Sequence, residues 1–557
     1  MSMMPGRQAD ELESDRDVTN TSHSQRWIVP ALLGWVCLVL LTGCGSKNYK
    51  QDADDRVYGI IDQKWEDDFG SRANYRTSDV AALPGDIQVD KAIPASGVLT
   101  LPQAVAIATA HNREYQGEKE LLYTTALDLR LVRHDFETYL FGGGSFFYSN
   151  DGTDEVIGWE ANVGFNRLLR TGTQIAVRLG TTWIDVLSGT ADSGLSSVLA
   201  DSVTQPLLRG SDPAIVLENL TQAERNTLYQ IRTFNRFRKT FVVWVITQYY
   251  RALELQDLAQ NAAEHYEALK TLHDQTQTLA TAGRLPTLEV DRLQQEMLQA
   301  RDTMILARKE YDRFLDRLKI TLGLPTTLEF KLDTAIFDTW VESGIPSHEI
   351  STDETIQTAL LRRLDIANSA DAVLDAQRAV HVAADSLRAD LRLAGNADLN
   401  TDGDAAGSAG VILDLPLDRV AEQTAYRKAL IDLERRRREY DLKADTIRLE
   451  VREAHRKLQE TAERYRVLSE GRALAHERLT RTAALLQFGR VSSRRVLTAQ
   501  QDLYAAENAV TDALTDYAVA VLDFYRDTGI LRVRPDGMWE SAPGAIALSS
   551  RASDTSK

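Results

Sequence analysis

The stretch TAGRLPTLEVDRLQQEM, residues 281–297, breaks what otherwise reads as one very long helix. From 217 to 280 the chain has neither proline nor glycine, and a second helical arm runs from Thr287 to Gly323. A rod of about 60 residues at 1.5 Å per residue is about 90 Å long, so it must pack along other rods and not inside a compact core. Gly283 suits the left-handed position just past a helix end, and Pro286 suits the start of the next helix. The interruption therefore reads as the tip of a helical hairpin with long arms.

The same punctuation returns as FGRVSSRRVLTAQQDL, residues 488–503. Without a gap, Gly283 meets Gly489, Arg284 meets Arg490, Thr287 meets Ser493 and Val290 meets Val496. The same offset of 206 residues carries Gly323 onto Gly529. Upstream the offset changes, with Leu99 meeting Ile350 and Pro206 meeting Pro416. A shared offset over both hairpins points to an internal duplication, and the first copy carries extra residues upstream of its hairpin. Within the second long helix Val451, Ala454, Leu458, Thr461, Tyr465 and Leu468 step by three and four, a narrow seam that Arg472 ends.

Between the first helices and the long arms the period falls to two. Trp159, Ala161, Val163 and Phe165 alternate with Glu160, Asn162, Gly164 and Asn166. Ile175, Val177, Leu179 and Trp183 alternate likewise, after an Arg170-Thr171-Gly172 turn. In the second copy Val411, Leu413, Leu415 and Leu417 share a strand face. Amphipathic strands of about 10 residues suit a membrane β-barrel, and alternation alone equally suits one face of a soluble hairpin.

The N-terminus has an apolar run from Trp27 to Leu41, short for a bilayer span and apt for a signal peptide. It ends in Leu41-Thr42-Gly43-Cys44, which resembles a bacterial lipobox with Cys44 as the acylated residue. The acidic leader before Arg26 departs from that pattern. The chain has 557 residues, a formal net charge of -17 and two cysteines, Cys37 and Cys44. Such a balance argues against a nucleic-acid binder, and the rest of the chain can form no disulfide framework or cysteine metal site.

LTLPQAVAIATAHNREYQ, VTQPLLRG, AGRLPTLEVDRLQQE, LDLPLDRV and FGRVSSRRVLTAQQDL, in this order and duplicated, resemble the TolC family of outer-membrane efflux proteins. The resemblance covers residues 99–531 or so. It implies an α+β membrane protein with long helical hairpins forming a periplasmic tunnel and transmembrane strands of a trimeric barrel, four strands per chain. It implies a homotrimer, a periplasmic adaptor protein docked at the tips (Gly283, Arg284, Gly489, Arg490) and an inner-membrane pump. The family's aperture often carries acidic residues after the second glycine; here Arg495 and Thr498 stand there, while the first tip offers Glu289 and Asp291. Glu289 or Asp291 pairing with Arg494 or Arg495 is the expected aperture gate.

The expected layout is a signal peptide (1–43), a lipid-anchored extended segment (44–98), a first repeat (99–325), a linker (326–349), a second repeat (350–531) and a flexible tail (532–557). An extra hairpin at about 155–187 departs from the family plan, and the expected arrangement is a 12-stranded wall with this hairpin appended. No phosphate loop, His-Glu-x-x-His motif or nucleophile–base constellation occurs, so no enzyme, no metal and no cofactor beyond the lipid on Cys44 is expected. The expected function is the exit duct of a tripartite efflux or type I secretion system. The alternative is a non-conducting, coiled-coil envelope lipoprotein with a tethering role.

Overall fold

The computed structural model describes residues 46–93, 96–188, 193–335, 351–401, 403–415, 417–488 and 490–539. Cys44, the signal segment, Gly489 and most of the linker lie outside the described residues. The chain divides at Ile60/Ile61 into two units. In the first, only residues 46–60 are described, most of helix α1 (Ser46–Lys64).

Helix α1 replaces part of the extended segment expected for 44–98. Its first half is mostly polar and its buried apolar residues, Val57, Tyr58, Ile60 and Ile61, crowd toward its end, while local pairs such as Arg56–Asp52 at 3.0 Å support it. Past Lys64 the chain is irregular but tied down. Asp86 accepts from the backbone N–H groups of Asn74 and Leu83, and Asn74 Oδ1 accepts from Ile87. Strand β1 (Val98–Leu99) then pairs in parallel with β6 (Lys331–Leu332), which anchors the start of the expected linker.

The first repeat opens with helices α2 (Leu101–His111) and α3 (Arg113–His134), separated at Asn112. The N–H of Thr100 donates to Gln103 Oε1 at 3.1 Å, which satisfies a helix-entry group. Strands β2 (Tyr139–Asn150), β3 (Glu155–Leu168), β4 (Gln174–Ser188) and β5 (Gly194–Pro206) follow. A short turn of helix, α4 (Pro213–Val216), leads into α5 (Glu218–Thr281) and then α6 (Thr287–Thr321). The second repeat supplies α7 (Thr352–Arg362), α8 (Leu364–Asp385), β7 (Asp390–Asn400), β8 (Ala405–Asp414), α9 (Val420–Gln487) and α10 (Ser493–Asp527). Strand β8 stops at Asp414, so Leu415 and the 96% exposed Leu417 are not on it.

Both repeats carry a hairpin whose second arm has 35 residues. The long arms have 64 and 68 residues, about 96 and 102 Å at the helical rise. Helix α5 packs along α6 and α10, and α10 packs along α9. The cores between them are narrow. Leu458, Tyr517, Ala520 and Phe524 make one, which bears out the seam read on α9.

The sheet order is β2-β3-β4-β5-β7-β8, antiparallel throughout. The extra hairpin is therefore not an appendage. Strands β3 and β4 sit between β2 and β5 in one six-stranded ladder, and this corrects the expected four strands per chain. Alternation reveals which face a strand buries but not which strand lies beside it, so the insertion point was not legible.

Of the expected flexible tail, only residues 532–539 are among the described residues, and they are ordered. Residues 532–539 form a turn closed by the Val533–Trp539 bridge. Ser71 Oγ donates to the Val533 carbonyl and Asn74 Nδ2 to that of Pro535.

Candidate channel wall and hairpin tips

The strand registers sort the sheet's side chains onto two faces. Paired residues share a face, so Leu140, Phe165, Val177, Asp201 and Ala397 fall on one side, as do Phe146, Trp159, Trp183 and Leu195. Val203, Gly395 and Ala409 continue that face, as do Leu199, Leu399 and Ala405. Asp201 is its charged mid-strand exception, with Oδ1 shielded and unbonded among the described residues. The face stands open: Phe146 is 87% exposed and Val163 57%. The other face carries Asn162, Glu160, Arg178, Thr182, Ser202, Asn396 and Asp398.

On that polar face Phe141 and Phe147 lie over Gly164 and Gly158. A Cβ at either glycine would come within 2.6 Å of the ring. The Arg178 guanidinium sits 5.8 Å from the Phe141 ring centre. Aromatic rings laid across glycines fix register on a face with little else to pack. A sheet apolar on one side and polar on the other, across six adjacent strands, suits hydrocarbon on one side and water on the other. Its outer edges, β2 and β8, have no partner strand among the described residues.

The hairpin tips follow from local capping. Gly283 has φ +70°, and the N–H of Arg284 reaches back to the Leu279 carbonyl at 2.9 Å. At the second tip Arg490 reaches the Leu485 carbonyl at 3.0 Å, the same bond 206 residues on. Pro286 and Ser492 occupy the extended position before α6 and α10. Val496 and Leu497 join Leu269, Leu272 and Leu293 in one cluster, which brings the two tips together.

The expected gate residues are placed differently from the simplest pairing. Glu289 accepts from Ser493 Oγ at 2.9 Å and lies 3.7 Å from Arg292. Asp291, Arg494 and Arg495 are exposed and make no ion pair within the chain among the described residues. Arg284 and Arg490 are exposed at the tips, and Gly489 lies outside the described residues.

Two charged centres in the helices escaped the sequence reading. Asp365, at the start of α8, meets Arg363 and Lys443, each at 2.8 Å, and Arg236 at 3.5 Å. Burial alone would raise its carboxyl, but hydrogen bonds from Arg363 and Lys443 and the charge of Arg236 hold it well below the usual carboxylate range. Glu254 on α5 pairs with Arg251 at 2.6 Å, yet burial pushes its carboxyl up to about 7. A buried arginine at a helix junction leaves no periodic trace. The signal available was Arg363 standing where the first repeat has Asn112, 251 residues earlier.

Among the described residues no helix is long and apolar enough to cross a membrane, and no group of histidines, cysteines or carboxylates could hold a metal ion. No family model matches the chain, and no curated protein is similar to it in sequence. Solved structures do match. CusC, described for its folding and transmembrane channel formation, aligns with 80% of this chain and 96% of its own at 16% identity and a TM-score of 0.58.

The chain has the TolC-like outer-membrane channel fold.

The CmeC outer membrane channel of Campylobacter jejuni shares that channel fold over 88% of this chain and 95% of its own, at 14% identity and a TM-score of 0.58. The open state of the MtrE outer membrane channel of Neisseria gonorrhoeae does so over 82% and 96%, at 15% identity and 0.55. The solved structures that share this fold are described as channels. What this chain adds to the channel fold's expected plan is the six-stranded sheet.

Proposed function

We propose that the chain is an outer-membrane channel, three copies of which form the passive exit duct of an efflux or type I secretion system. The observation that carries this reading is the two-faced sheet with two open edges, joined to a pair of hairpins about 100 Å long. In hydrocarbon every backbone N–H and C=O needs a protein partner, so edges β2 and β8 require each other across copies. Three sheets of six strands would close an 18-stranded wall. Barrel diameter grows with strand number, so such a wall is about one and a half times as wide as one of 12 strands.

The free faces of the helices support the same closure. Leu298, Ile305, Leu306 and Ile320 on α6 are exposed, as are Leu442, Leu449, Val467 and Leu474 on α9. Helices α6 and α9 flank the α5–α10 pair, and their apolar rows await a neighbouring copy. The adaptor would dock at the tips, at Gly283, Arg284, Gly489 and Arg490. A lipid on Cys44 would be a second anchor in the outer membrane. The gate would act between copies, with Asp291 of one against Arg494 or Arg495 of the next.

Proteoliposomes loaded with a small dye test the reading. The inserted protein should release the dye, and full retention by a folded, inserted oligomer would favour the tethering role.

A further inference from the structure

A cavity of about 630 Å³ lies where the turn between α7 and α8 meets α5, the loop at 66–72 and the segment after α10. That volume is in the range of small-molecule sites. Its lining is rich in cations, in a chain whose net charge is -17. Most of them are already matched. Arg232 meets Asp371 at 2.6 Å, Arg363 meets Asp365 at 2.8 Å and Arg534 meets Asp536 at 2.7 Å. Arg238 donates to the Ser71 carbonyl at 2.8 Å, and Arg72 lies 3.8 Å from Asp67.

Three are not matched. Lys239, Arg362 and Arg532 line the cavity and have no hydrogen bond or ion pair among the described residues. Arg362 and Arg532 are exposed, while Lys239 is part-buried. The cavity's carboxylates, Glu66, Asp67 and Asp68, are all exposed on the loop. Burial, and then the charges of Arg236, Arg238, Arg532 and Arg362, push the Lys239 ammonium down to about 8. An ammonium held among arginines with no anion is a cost that a ligand would remove.

We propose that this cavity binds a dianionic oxyanion of the phosphate class, held by Lys239, Arg362 and Arg532. Two guanidinium forks and an ammonium match several oxygens on one centre, which a single carboxylate does not offer. The proposal is independent of the channel reading, since it concerns the helical body and not the sheet.

The test is calorimetric titration of the full-length protein in detergent with inorganic phosphate at pH 8, against chloride at matched ionic strength. Saturable binding with proton uptake is expected, because the anion raises the Lys239 ammonium that burial and the arginines hold down. Arg362→Gln with Arg532→Gln, both exposed, should weaken binding at least tenfold, and Lys239→Gln should abolish the proton uptake. Arg435→Gln, on an exposed face of α9, should change neither. A parallel titration with short-chain phosphatidic acid micelles separates a phosphate carried on a lipid from a free one. No saturable binding, or undiminished affinity in the double variant, overturns the proposal. So does an oligomer structure in which a carboxylate of a second copy already sits between Lys239 and Arg532.

Discussion

Asn112 donates its side-chain amide to the carbonyl of Thr321 at 2.8 Å, which ties the α2–α3 junction to the end of the first hairpin. The second repeat makes the same tie with a different residue, as Arg363 Nη1 donates to the carbonyl of Asp527 at 3.3 Å. The glycines beside these ties differ in tolerance. A Cβ on Gly323 would lie 2.6 Å from the His111 carbonyl oxygen, whereas one on Gly529 would meet Arg362 Cβ at 3.3 Å. Both have positive φ. Gly323→Ala should therefore lower the unfolding midpoint more than Gly529→Ala. Asn112→Ala, which also removes the cap to the Tyr115 N–H, should cost about 1–2 kcal/mol. Thermal unfolding followed by circular dichroism checks all three.

Asp365 is the acid counterpart of that tie. Its folded-state carboxyl is depressed, so its stabilisation is complete above the unfolded carboxylate range and is lost only as pH falls through the folded value. Asp365→Asn should cost about 2 kcal/mol, evenly from pH 5 to pH 8. The gap to wild type should close only in stronger acid.

Glu254 has the opposite sign. Its carboxyl is raised to about 7, so the unfolded chain ionises first and the folded state loses stability as pH climbs from about 5 to above 7. Glu254→Gln should flatten that slope, with a higher melting temperature than wild type at pH 8 and little difference at pH 5. A slope unchanged by the substitution would show that Glu254 is not its source.

The place of the extra hairpin is open to a two-sided test. Val163→Arg and Leu179→Arg put charge on the apolar face, where an arginine near the bilayer midplane costs about 2–4 kcal/mol. Asn162→Arg, on the opposite face of the same strand, should be tolerated. Heat resistance of the membrane-inserted oligomer on gels is the readout, and equal tolerance of all three would place β3 and β4 outside the membrane.

At the tips, Arg495→Glu should raise channel open probability if the proposed pairing between copies holds the aperture closed. Thr498→Ala, one turn further on and exposed, should leave it unchanged.

How much of this was legible in the sequence depends on the kind of signal. The hairpin tips were readable because glycine, arginine and a helix-starting residue recur at one offset, and capping is a local property. The faces of β3 and β4 were readable from their alternation, and Trp159 does pair with Trp183 on the apolar side. Their insertion between β2 and β5 was not, because strand order is set by long-range pairing. Helix α1 was missed because its apolar residues, Val57, Tyr58, Ile60 and Ile61, crowd toward its end after a mostly polar start, and the Asp365 cluster because its members come from α5, the α7–α8 junction, α8 and α9. Glu289 showed the limit of charge matching: its nearest partner across the tips is the hydroxyl of Ser493, not an arginine.

The central claim is that this chain conducts. The most direct measurement is single-channel current of the purified, full-length protein in a planar lipid bilayer. Discrete, reproducible conductance steps are expected, with larger and more frequent openings in Arg495→Glu. A folded, inserted oligomer that never passes current would contradict that claim.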